Sequence, residues 1–317
     1  MKDLSIIIVN YNTGEYLHKC IDSIFSQTTK YTYDIYVIDN NSKDNSIAFI
    51  PQNYPEVTLI RNDTNLGFAA ANNQALKQVN SQFILLLNPD TEIIDNAIDK
   101  MIDYLKTDKF DMLTCKLLNS DMSLQKSIYE FENPFYDFVK KKIHQLKRIF
   151  TSIPDYNTMR LEKFNHEVDA EIDWARGAVL MFSKNVLDKI GLLDEDYYIY
   201  AEEVDYYFRA KKNGFKAGYA SGINIIHHGK VSSKNYKTEL FLILMKSKYI
   251  YFKKNHSYFQ YFFYRNINLI SYVFSYITLK IFKTNQDKPQ TIKFYKDVIK
   301  WHFSKSSNLK MRITINK

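Results

Sequence analysis

Short apolar runs alternate with amphipathic segments along the first 120 residues of the chain. Apolar runs with the length and composition of buried strands occur at residues 4–9, 33–38, 57–60, 83–87 and 111–117. Helical spacing of apolar side chains occurs at residues 15–26, 67–79 and 97–105. This alternation predicts an α/β fold in which a central, mainly parallel sheet is flanked by helices.

Polar side chains follow three of the predicted strands at the point where each strand ends. These clusters are Asn10-Tyr11-Asn12, Asp39-Asn40-Asn41-Ser42 and Asn88-Pro89-Asp90. Ligands of open parallel sheets bind beyond the carboxyl ends of the strands. The three clusters therefore predict one polar rim that is suited to a nucleotide.

The run at residues 83–87 stops abruptly at Asn88-Pro89-Asp90-Thr91. Pro89 cannot donate to a sheet ladder, so the strand is expected to end there. A carboxylate and an amide oxygen at this point suit a hard cation with phosphate attached, which makes Asp90 and Asn88 candidate ligands. The alternative is that the segment only turns the chain and caps the next helix.

Two common nucleotide-binding motifs are missing from the sequence. No G-x-G-x-x-G motif follows the first strand and no Walker-type G-K-S/T loop occurs, which disfavours dinucleotide-binding Rossmann domains and P-loop NTPases. Cys20 and Cys115 are the only cysteines, and their patterns predict core positions. The first apolar run is too short for a signal sequence, so the protein is expected to stay in the cytoplasm.

Charge is distributed unevenly along a chain whose formal net charge is +8. Residues 236–317 hold 16 Lys and Arg against three acidic residues, whereas the residues before them hold 27 basic and 32 acidic residues. This asymmetry predicts two functional parts, the body at 1–235 and a basic extension at 236–317. A nucleic-acid partner is not expected, because no recognised nucleic-acid-binding motif accompanies the positive charge.

The extension combines helical spacing with many aromatic residues. Its segment 241–252 has an apolar helical face, and its segment 258–282 is apolar and aromatic but contains Arg265. The longest charge-free run there has 14 residues, fewer than the roughly 20 apolar residues of a membrane span. We therefore predict helices that lie on the inner face of the cytoplasmic membrane, with packing on the body as the alternative.

Four segments resemble a known family. They are residues 5–12 (SIIIVNYN), 37–42 (VIDNNS), 65–68 (NLGF) with Asn72-Asn73, and 87–91 (LNPDT). With these motifs in this order, residues 4–255 resemble the family-2 glycosyltransferases, in particular the rhamnosyltransferase-like branch of bacterial surface polysaccharide synthesis. The resemblance implies a GT-A fold, an inverting mechanism, a nucleoside-diphosphate sugar donor and a variable acceptor-side insertion at 119–169.

The resemblance also implies residue roles at the rim. Asp39 would contact the base, and Asn88-Pro89-Asp90 corresponds to the family's Asp-x-Asp motif with Asn88 in place of the first acid. Asp90 is then the main carboxylate ligand of a Mn²⁺ or Mg²⁺ ion. The remaining residues assigned to the nucleotide are Asn10, Tyr11, Asn12, Asn41, Asn65, Gly67 and Asn72.

The segment Glu202-Glu203-Val204-Asp205 is the second predicted chemical centre. In a helix that begins near Tyr200, Glu202 and Asp205 share a face while Glu203 points elsewhere. Burial beside aromatic residues would raise a carboxyl pKa, although acids in a first helical turn also have an ordinary stabilising role. By the resemblance Glu203 is the catalytic base, Asp205 is the alternative base and Glu202 is a third candidate.

Trp174, Gly177 and Ala178 belong to the segment that, in the family, lines the pocket for the donor sugar and the acceptor. The Trp174 ring offers a flat face on which a sugar can stack, and Gly177 allows close backbone approach. The alternative is that Trp174 is a core residue at a turn.

A His-His-Gly sequence follows the last predicted strand of the body. The resemblance assigns the first of these, His227, to the metal or the diphosphate, and His228 is the alternative. Lys230 or Ser232 would meet phosphate oxygens. A site of imidazole and carboxylate suits Mn²⁺ or Mg²⁺ better than a closed zinc site, for which thiolates are expected.

These features predict a membrane-associated inverting glycosyltransferase that uses dTDP-rhamnose or a UDP-sugar. Its acceptor is expected to be a lipid-linked or polysaccharide hydroxyl in cell-surface polysaccharide synthesis, and a homo-oligomer is left open. One alternative is a sugar nucleotidyltransferase, although the Gly-rich, basic loop that it needs is missing after the first strand. Another is a catalytically silent binding module, which is kept open by Asn88 and by Glu203, a glutamate where the family usually carries an aspartate.

Overall fold

The predicted strands and helices are present in the structure, a computed structural model that describes residues 1–132, 164–229, 237–282 and 288–304. The first part of the chain forms β1 (Lys2–Asn10), α1 (Tyr16–Gln27), β2 (Tyr33–Asp39), α2 (Ile50–Asn53), β3 (Thr58–Arg61), α3 (Phe68–Leu76), β4 (Ser81–Leu87), β5 (Thr91–Ile93), α4 (Ala97–Leu105) and β6 (Met112–Leu118). The remainder forms β7 (Leu124–Gln125), β8 (Ile128–Tyr129), β9 (Ala170–Ile172), β10 (Trp174–Ala175), β11 (Val179–Ser183), α5 (Lys184–Ile190), α6 (Glu202–Lys212), β12 (Ala217–His227), α7 (Lys237–Asn255), α8 (Tyr258–Phe282) and α9 (Lys288–Phe303).

The central sheet has the strand order β3-β2-β1-β4-β11-β6-β12-β5. Its first four strands are parallel to one another, as are β6 and β12, whereas β11 is antiparallel to β4 and β6. Strand β11 runs in the opposite direction because it starts at the rim, where Val179 pairs with Leu87 at the end of β4. This mixed, mainly parallel sheet with flanking helices confirms the predicted GT-A-type fold class.

Strand β1 shows why the sheet is buried on both faces. Leu4, Ile6 and Ile8 pack into an apolar layer with α1 and α4, and Ile7 and Val9 pack into the opposite layer with α3, α5 and α6. Successive side chains of a strand point to opposite faces, so an unbroken apolar run serves both layers. The polar residues that follow each parallel strand are therefore delivered to one edge of a rigid sheet.

Both cysteines are core residues, as the sequence predicts. Cys20 and Cys115 are buried free thiols in the layer that contains α1 and α4. Burial raises the pKa of the Cys20 thiol to about 12 and also raises the pKa of the Cys115 thiol. Neither thiol is therefore suited to act as a nucleophile.

The C-terminal helices pack on the body through α7. A third apolar cluster joins Tyr197, before α6, to Tyr249 and Phe252 of α7 and to Trp301 of α9. Polar contacts add to it, because Ser247 Oγ donates to the carbonyl of Ile199 at 2.9 Å. The alternative of packing on the body thus holds for α7. Among the described residues, no helix combines the length and the apolar content needed to cross a bilayer.

Candidate active site

The ends of β1 and β2 are joined by a buried polar network. The Asn10 amide donates to Asp39 Oδ1 and to Ser46 Oγ, both at 2.8 Å, and Asp39 Oδ2 accepts from the backbone N–H of Ser42 at 3.1 Å. Asn10 and Asp39 are both buried. Both carboxylate oxygens of Asp39 thus organise the rim loop, and its contact with a nucleotide base stays a prediction.

Asn12 and Asn41 lie in the loops that follow β1 and β2, and both have positive φ angles, a conformation that asparagine tolerates better than most residues. Asn12 Oδ1 accepts from the backbone N–H of Lys43 at 2.7 Å, and Asn41 Oδ1 accepts from Lys43 Nζ at 2.6 Å. Tyr11 lies beside Tyr198, whose pKa is raised by burial and then by Tyr11. These residues therefore border the rim, with Tyr11 facing the segment that precedes α6.

Asn40 was not selected from the sequence, although it lies in the polar cluster after β2. Its amide donates to the carbonyl of Gly67 at 3.1 Å, and its Oδ1 accepts from Asn62 Nδ2 at 3.0 Å. Asn65 Oδ1 accepts from the N–H of Gly67 at 2.9 Å, whereas the Asn72 amide donates to the carbonyl of Phe68 within α3. The asparagines near Gly67 thus position the loop that begins α3.

Gly67 lets the segment before α6 approach the start of α3. Its φ and ψ are +85° and 176°, and an added Cβ would lie 2.2 Å from the Tyr198 carbonyl oxygen. That oxygen accepts from the N–H of Phe68 at 2.7 Å. Gly67 therefore couples the rim to the segment that leads into α6. This close approach explains why the position needs glycine, and the contact of Gly67 with a nucleotide stays a prediction.

Replacing Gly67 with alanine is expected to lower the free energy of unfolding by about 1–3 kcal/mol. The alanine Cβ would meet the Tyr198 carbonyl in a backbone conformation that is reserved for glycine. Chemical denaturation of the variant and the wild type measures the difference. The matched control is Gly214→Ala, which also has positive φ but no atom within 4 Å of an added Cβ. Equal losses in the two variants would contradict the role of the close approach.

Asp90 and His227 meet across the pair of strands β5 and β12. His227 Nε2 lies 3.3 Å from Asp90 Oδ1 and 3.4 Å from Asn88 Nδ2. On the other side of the ring, His227 Nδ1 lies 2.6 Å from Gln125 Oε1. The Gln125 amide nitrogen donates to Asn119 Oδ1 and to the His227 carbonyl. Gln125 Oε1 is therefore the acceptor, and His227 Nδ1 carries a proton.

This geometry fits a divalent cation. Because His227 Nδ1 donates to Gln125 Oε1, Nε2 is the ring nitrogen that faces the Asp90 carboxylate, and an outer hydrogen bond of this kind orients metal-bound histidines. Both side chains are buried. Across the described part of the chain, no group of three or more His, Cys, Asp or Glu side chains could hold a metal. A cation held by Asp90 and His227 would thus take most of its coordinating atoms from water and from the oxygens of a bound substrate, as Mg²⁺ does in many nucleotide sites.

His228 points into different surroundings from those of His227. Its Nε2 lies 3.4 Å from Glu92 Oε2, and its Nδ1 lies 2.8 Å from Ser120 Oγ. The ring also contacts Tyr16. Of the two histidines, His227 is therefore the one beside Asp90. Lys230 and Ser232, the predicted phosphate contacts, lie outside the described residues.

The three acids of α6 have different surroundings. Asp205 is buried, forms an ion pair with Arg209 at 2.7 Å and accepts from the Asn255 amide at 2.7 Å. Glu202 is also buried, and burial together with the neighbouring Glu203 raises its pKa well above the usual value. Asp205 is thus held by α6 and α7, and burial favours the neutral form of Glu202.

Glu203 faces a cavity of about 510 Å³ between the body and α7. The cavity is lined by Tyr129, Glu132, Trp174, Arg176, Tyr200, Ala201, Glu203, Val204, Leu244, Lys248, Tyr251 and Phe252. Burial raises the pKa of Glu203 to about 7, against the opposing effects of backbone N–H groups and of Arg176. Its Oε2 has no hydrogen-bond partner among the described residues. This oxygen is therefore a buried polar atom at the cavity wall that the described residues leave without a partner.

Trp174 forms part of the cavity wall. Its ring stacks on Tyr129 with centroids 4.3 Å apart, and its Nε1 donates to the Glu130 carbonyl at 3.0 Å. The hydrogen bond and the stacking fix the plane of the indole. Trp174 is thus half-buried at the cavity rather than enclosed in the core, and its contact with a sugar stays a prediction.

Gly177 and Ala178 connect the acid of the cavity to the rim. An added Cβ on Gly177 would lie 3.5 Å from Glu203 Cβ, so the backbone there passes directly beside the acid. The Ala178 carbonyl accepts from the N–H of Asn88 at 2.9 Å, while its side chain is buried. The structure thus brings Glu203 close to the end of β4 that carries Asp90.

Arg176 and Gln125 are site residues that the sequence interpretation did not select. Arg176 Nη2 donates to the Tyr129 hydroxyl at 3.2 Å, and its Nη1 donates to Gln125 Oε1 at 3.3 Å. Gln125 therefore joins the cation of the cavity wall to His227. Arg176 lies inside the Trp-Ala-Arg-Gly-Ala segment that the sequence highlights, whereas Gln125 lies in the predicted variable insertion, where the local pattern gives no signal.

Comparisons with known proteins identify the family of this chain. The model of the family described as glycosyl transferase family 2 matches residues 5–167. The N-acetylglucosaminyl-diphospho-decaprenol L-rhamnosyltransferase of Mycobacterium tuberculosis is 23% identical over 266 residues, which are 80% of this chain and 85% of that protein. The poly(ribitol-phosphate) beta-N-acetylglucosaminyltransferase TarP of Staphylococcus aureus is 27% identical over 251 residues, 75% of each chain. The crystal structure of S. aureus TarS 1-349 has a TM-score of 0.49 at 14% identity and covers 99% of this chain and 76% of that chain.

Proposed function

This chain belongs to glycosyl transferase family 2, and from that premise we propose that it is an inverting enzyme that moves a sugar from a nucleoside-diphosphate donor to an acceptor hydroxyl. The observation that carries the proposal is the Glu203 carboxylate, whose pKa is raised to about 7 at the wall of a cavity beside the rim. A carboxylate with that pKa is suited to general base catalysis near neutral pH.

In the proposed reaction, Glu203 takes the proton of the acceptor hydroxyl as that oxygen attacks the anomeric carbon. The bond from the anomeric carbon to the diphosphate oxygen breaks at the same time, and the nucleoside diphosphate leaves from the opposite face of the sugar. Trp174 and Tyr200 would hold the acceptor against Glu203, because both line the same cavity. The attack from one face inverts the anomeric centre and needs no covalent nucleophile.

Asp90 and His227 are the residues that would hold a Mn²⁺ or Mg²⁺ ion. Such an ion, when bound, neutralises negative charge that develops on the departing diphosphate. Gln125 supports the arrangement, since its Oε1 accepts a hydrogen bond from His227 Nδ1 while Nε2 faces Asp90. The nucleoside is assigned to the rim formed by Asn10, Asp39 and the loop at Gly67.

Relatives guide the choice of donor and acceptor. One is named as a rhamnosyltransferase acting on a lipid-linked diphosphate sugar, and another as an N-acetylglucosaminyltransferase acting on poly(ribitol-phosphate). We therefore propose dTDP-rhamnose or a UDP-sugar as the donor and a lipid-linked or polysaccharide hydroxyl as the acceptor. The reaction would belong to cell-surface polysaccharide synthesis at the inner face of the cytoplasmic membrane.

Release of nucleoside diphosphate tests the proposal. The purified chain is incubated with a panel of dTDP- and UDP-sugars, with Mn²⁺ or with EDTA, and free diphosphate is measured. Release with one sugar nucleotide that EDTA abolishes supports the metal-dependent transferase. Binding of that nucleotide without turnover for any acceptor would instead favour the silent binding module. Formation of the sugar nucleotide from a nucleoside triphosphate would favour the nucleotidyltransferase.

The pH dependence of transfer should follow the ionisation of Glu203. Burial raises its pKa to about 7, so the fraction in the basic form rises as the pH passes through that value. We expect kcat/KM to rise from pH 5.5 to a plateau near pH 8, with about one tenth of the plateau value at pH 6. An exposed glutamate, with a pKa of roughly 4.3, would give a flat profile over this range. A flat profile measured with the chemical step rate-limiting would contradict the assignment of Glu203.

A further inference from the structure

Helix α8 carries a row of exposed apolar side chains along one side. Phe259, Phe262, Ile270, Phe274 and Ile277 are between 46% and 66% exposed. They are spaced by three, eight, four and three positions, so they lie on one side of the helix. We call this row the α8 stripe.

The exposed apolar residues are concentrated rather than scattered. Six of the ten large apolar residues that are exposed within the described part of the chain belong to α8. Single exposed apolar residues are ordinary on protein surfaces, whereas a contiguous row marks a surface that something apolar covers. The α8 stripe therefore requires an occupant.

Several polar side chains of α8 donate to the backbone of the helix itself. The Asn266 amide donates to the Phe262 carbonyl at 2.7 Å, and the Ser275 and Thr278 hydroxyls donate to carbonyls four residues earlier at 2.8 and 3.0 Å. Arg265 donates to the Tyr261 hydroxyl and to the His302 carbonyl of α9. Such internal bonds spare polar groups the cost of leaving water. The helix is thus suited to an environment that is poor in water.

The charge around the stripe indicates the chemistry of its occupant. Helix α8 contains no acidic residue and ends near the exposed Lys280. On the adjacent helix α9, Lys293, Lys296 and Lys300 are exposed and share one face by their spacing, and with Asp297 on that face its net charge is still positive. A second copy of this chain would bring the same lysines and be repelled. An anionic lipid surface would attract them.

We propose that the α8 stripe lies in the interfacial layer of a bilayer that contains anionic lipids, with the lysines of α9 in the headgroup region. A helix with an apolar aromatic side and flanking cations adopts this in-plane position. Binding of α8 to lipid does not depend on the proposed function; only the role of that contact in presenting an acceptor rests on it. Helix α7, which supplies Leu244, Tyr251 and Phe252 to the cavity, packs on α8 through Phe252 and Tyr264 at 4.0 Å between ring centroids. Docking of α8 would thus hold the acceptor cavity beside the lipid surface.

Vesicle co-sedimentation tests this surface. The full chain is mixed with vesicles of phosphatidylcholine alone or with phosphatidylglycerol added, in low and high salt. We expect binding to the anionic vesicles that weakens with salt, and a loss of at least about tenfold for the triple variant Phe262→Ser, Ile270→Ser, Phe274→Ser. The control is Met122→Ser with Val168→Ser, which removes exposed apolar residues from the body and should bind like the wild type.

A second variant tests the electrostatic part. Lys293→Gln, Lys296→Gln and Lys300→Gln together should weaken binding to anionic vesicles about tenfold or more and leave the residual binding to phosphatidylcholine unchanged. Equal binding by the wild type and the serine variant, each folded by circular dichroism, would overturn the proposal. So would a wild-type dimer in solution that the serine variant converts to a monomer. Because binding is measured without turnover, its failure is distinct from failure of the transferase assignment.

Discussion

Glu203→Gln is expected to lower the rate of sugar transfer by roughly 10²–10⁴-fold while the protein stays folded and still binds the donor. The amide keeps the size and shape of the glutamate, but it cannot accept the acceptor's proton. In the structure, Glu203 Oε2 is buried at the cavity without a hydrogen-bond partner among the described residues, and the amide oxygen can still accept from the backbone N–H groups that contact the carboxylate. Single-turnover rates with saturating donor measure the effect on the chemical step.

The neighbouring variant Glu202→Gln provides the comparison. Burial and Glu203 favour the neutral form of the Glu202 carboxyl, so an amide there changes little and the rate should fall by less than about tenfold. The two variants differ by one position in the same helical turn. A larger loss in Glu202→Gln than in Glu203→Gln would reverse the assignment of the base, and undiminished transfer in Glu203→Gln would remove it.

Asp90→Asn is expected to lower metal-dependent transfer by roughly 10²–10³-fold. The substitution removes the carboxylate charge opposite His227 Nε2 and leaves an amide that binds hard cations more weakly. Donor binding should weaken as well, because diphosphate and cation share the site in the proposed function. Calorimetric titration of Mn²⁺ with nucleoside diphosphate, together with transfer rates across a range of Mn²⁺ concentrations, separates binding from turnover.

Glu92→Gln is the matched control for Asp90→Asn. Glu92 is a carboxylate two positions away that pairs with His228 instead of His227. Its loss should leave Mn²⁺ affinity and transfer within about twofold of the wild type, since a partly exposed pair contributes little. Equal effects of the two variants would contradict the assignment of the cation to Asp90 and His227.

The surroundings of Asp205 separate a structural acid from a catalytic one. Its carboxylate is held by Arg209, the Tyr197 hydroxyl and the Asn255 amide. The Asn255 amide belongs to α7, so Asp205 ties α6 to α7. Removing one partner of the buried ion pair between Asp205 and Arg209 would leave an uncompensated charge. Asp205 therefore fixes the position of α6 against α7 and is not one of the residues that line the cavity in the described part of the chain.

The fold was largely readable from the sequence because its signals are local. The unbroken apolar runs of β1 and β4 mark strands buried on both faces, and Pro89 marks where β4 ends. Helical spacing likewise predicted α1, α3 and α4. Strands β7 and β8 were not predicted, because two residues are too short to show an alternating pattern.

The sequence by itself determined which polar residues arrive at the rim, because chain direction and strand length fix where each strand ends. Only the tertiary structure decided what those residues do. The Asn40 amide donates to the carbonyl of Gly67, and Gln125 orients His227 from about a hundred positions away in the chain. Arg176, at the cavity wall, donates to the same Gln125 oxygen. Hydrogen bonds between residues so distant in the chain leave no periodic trace. The orientation of α6 between the sheet and α7 likewise decided that Glu203, rather than Glu202 or Asp205, is the acid of α6 that lines the cavity.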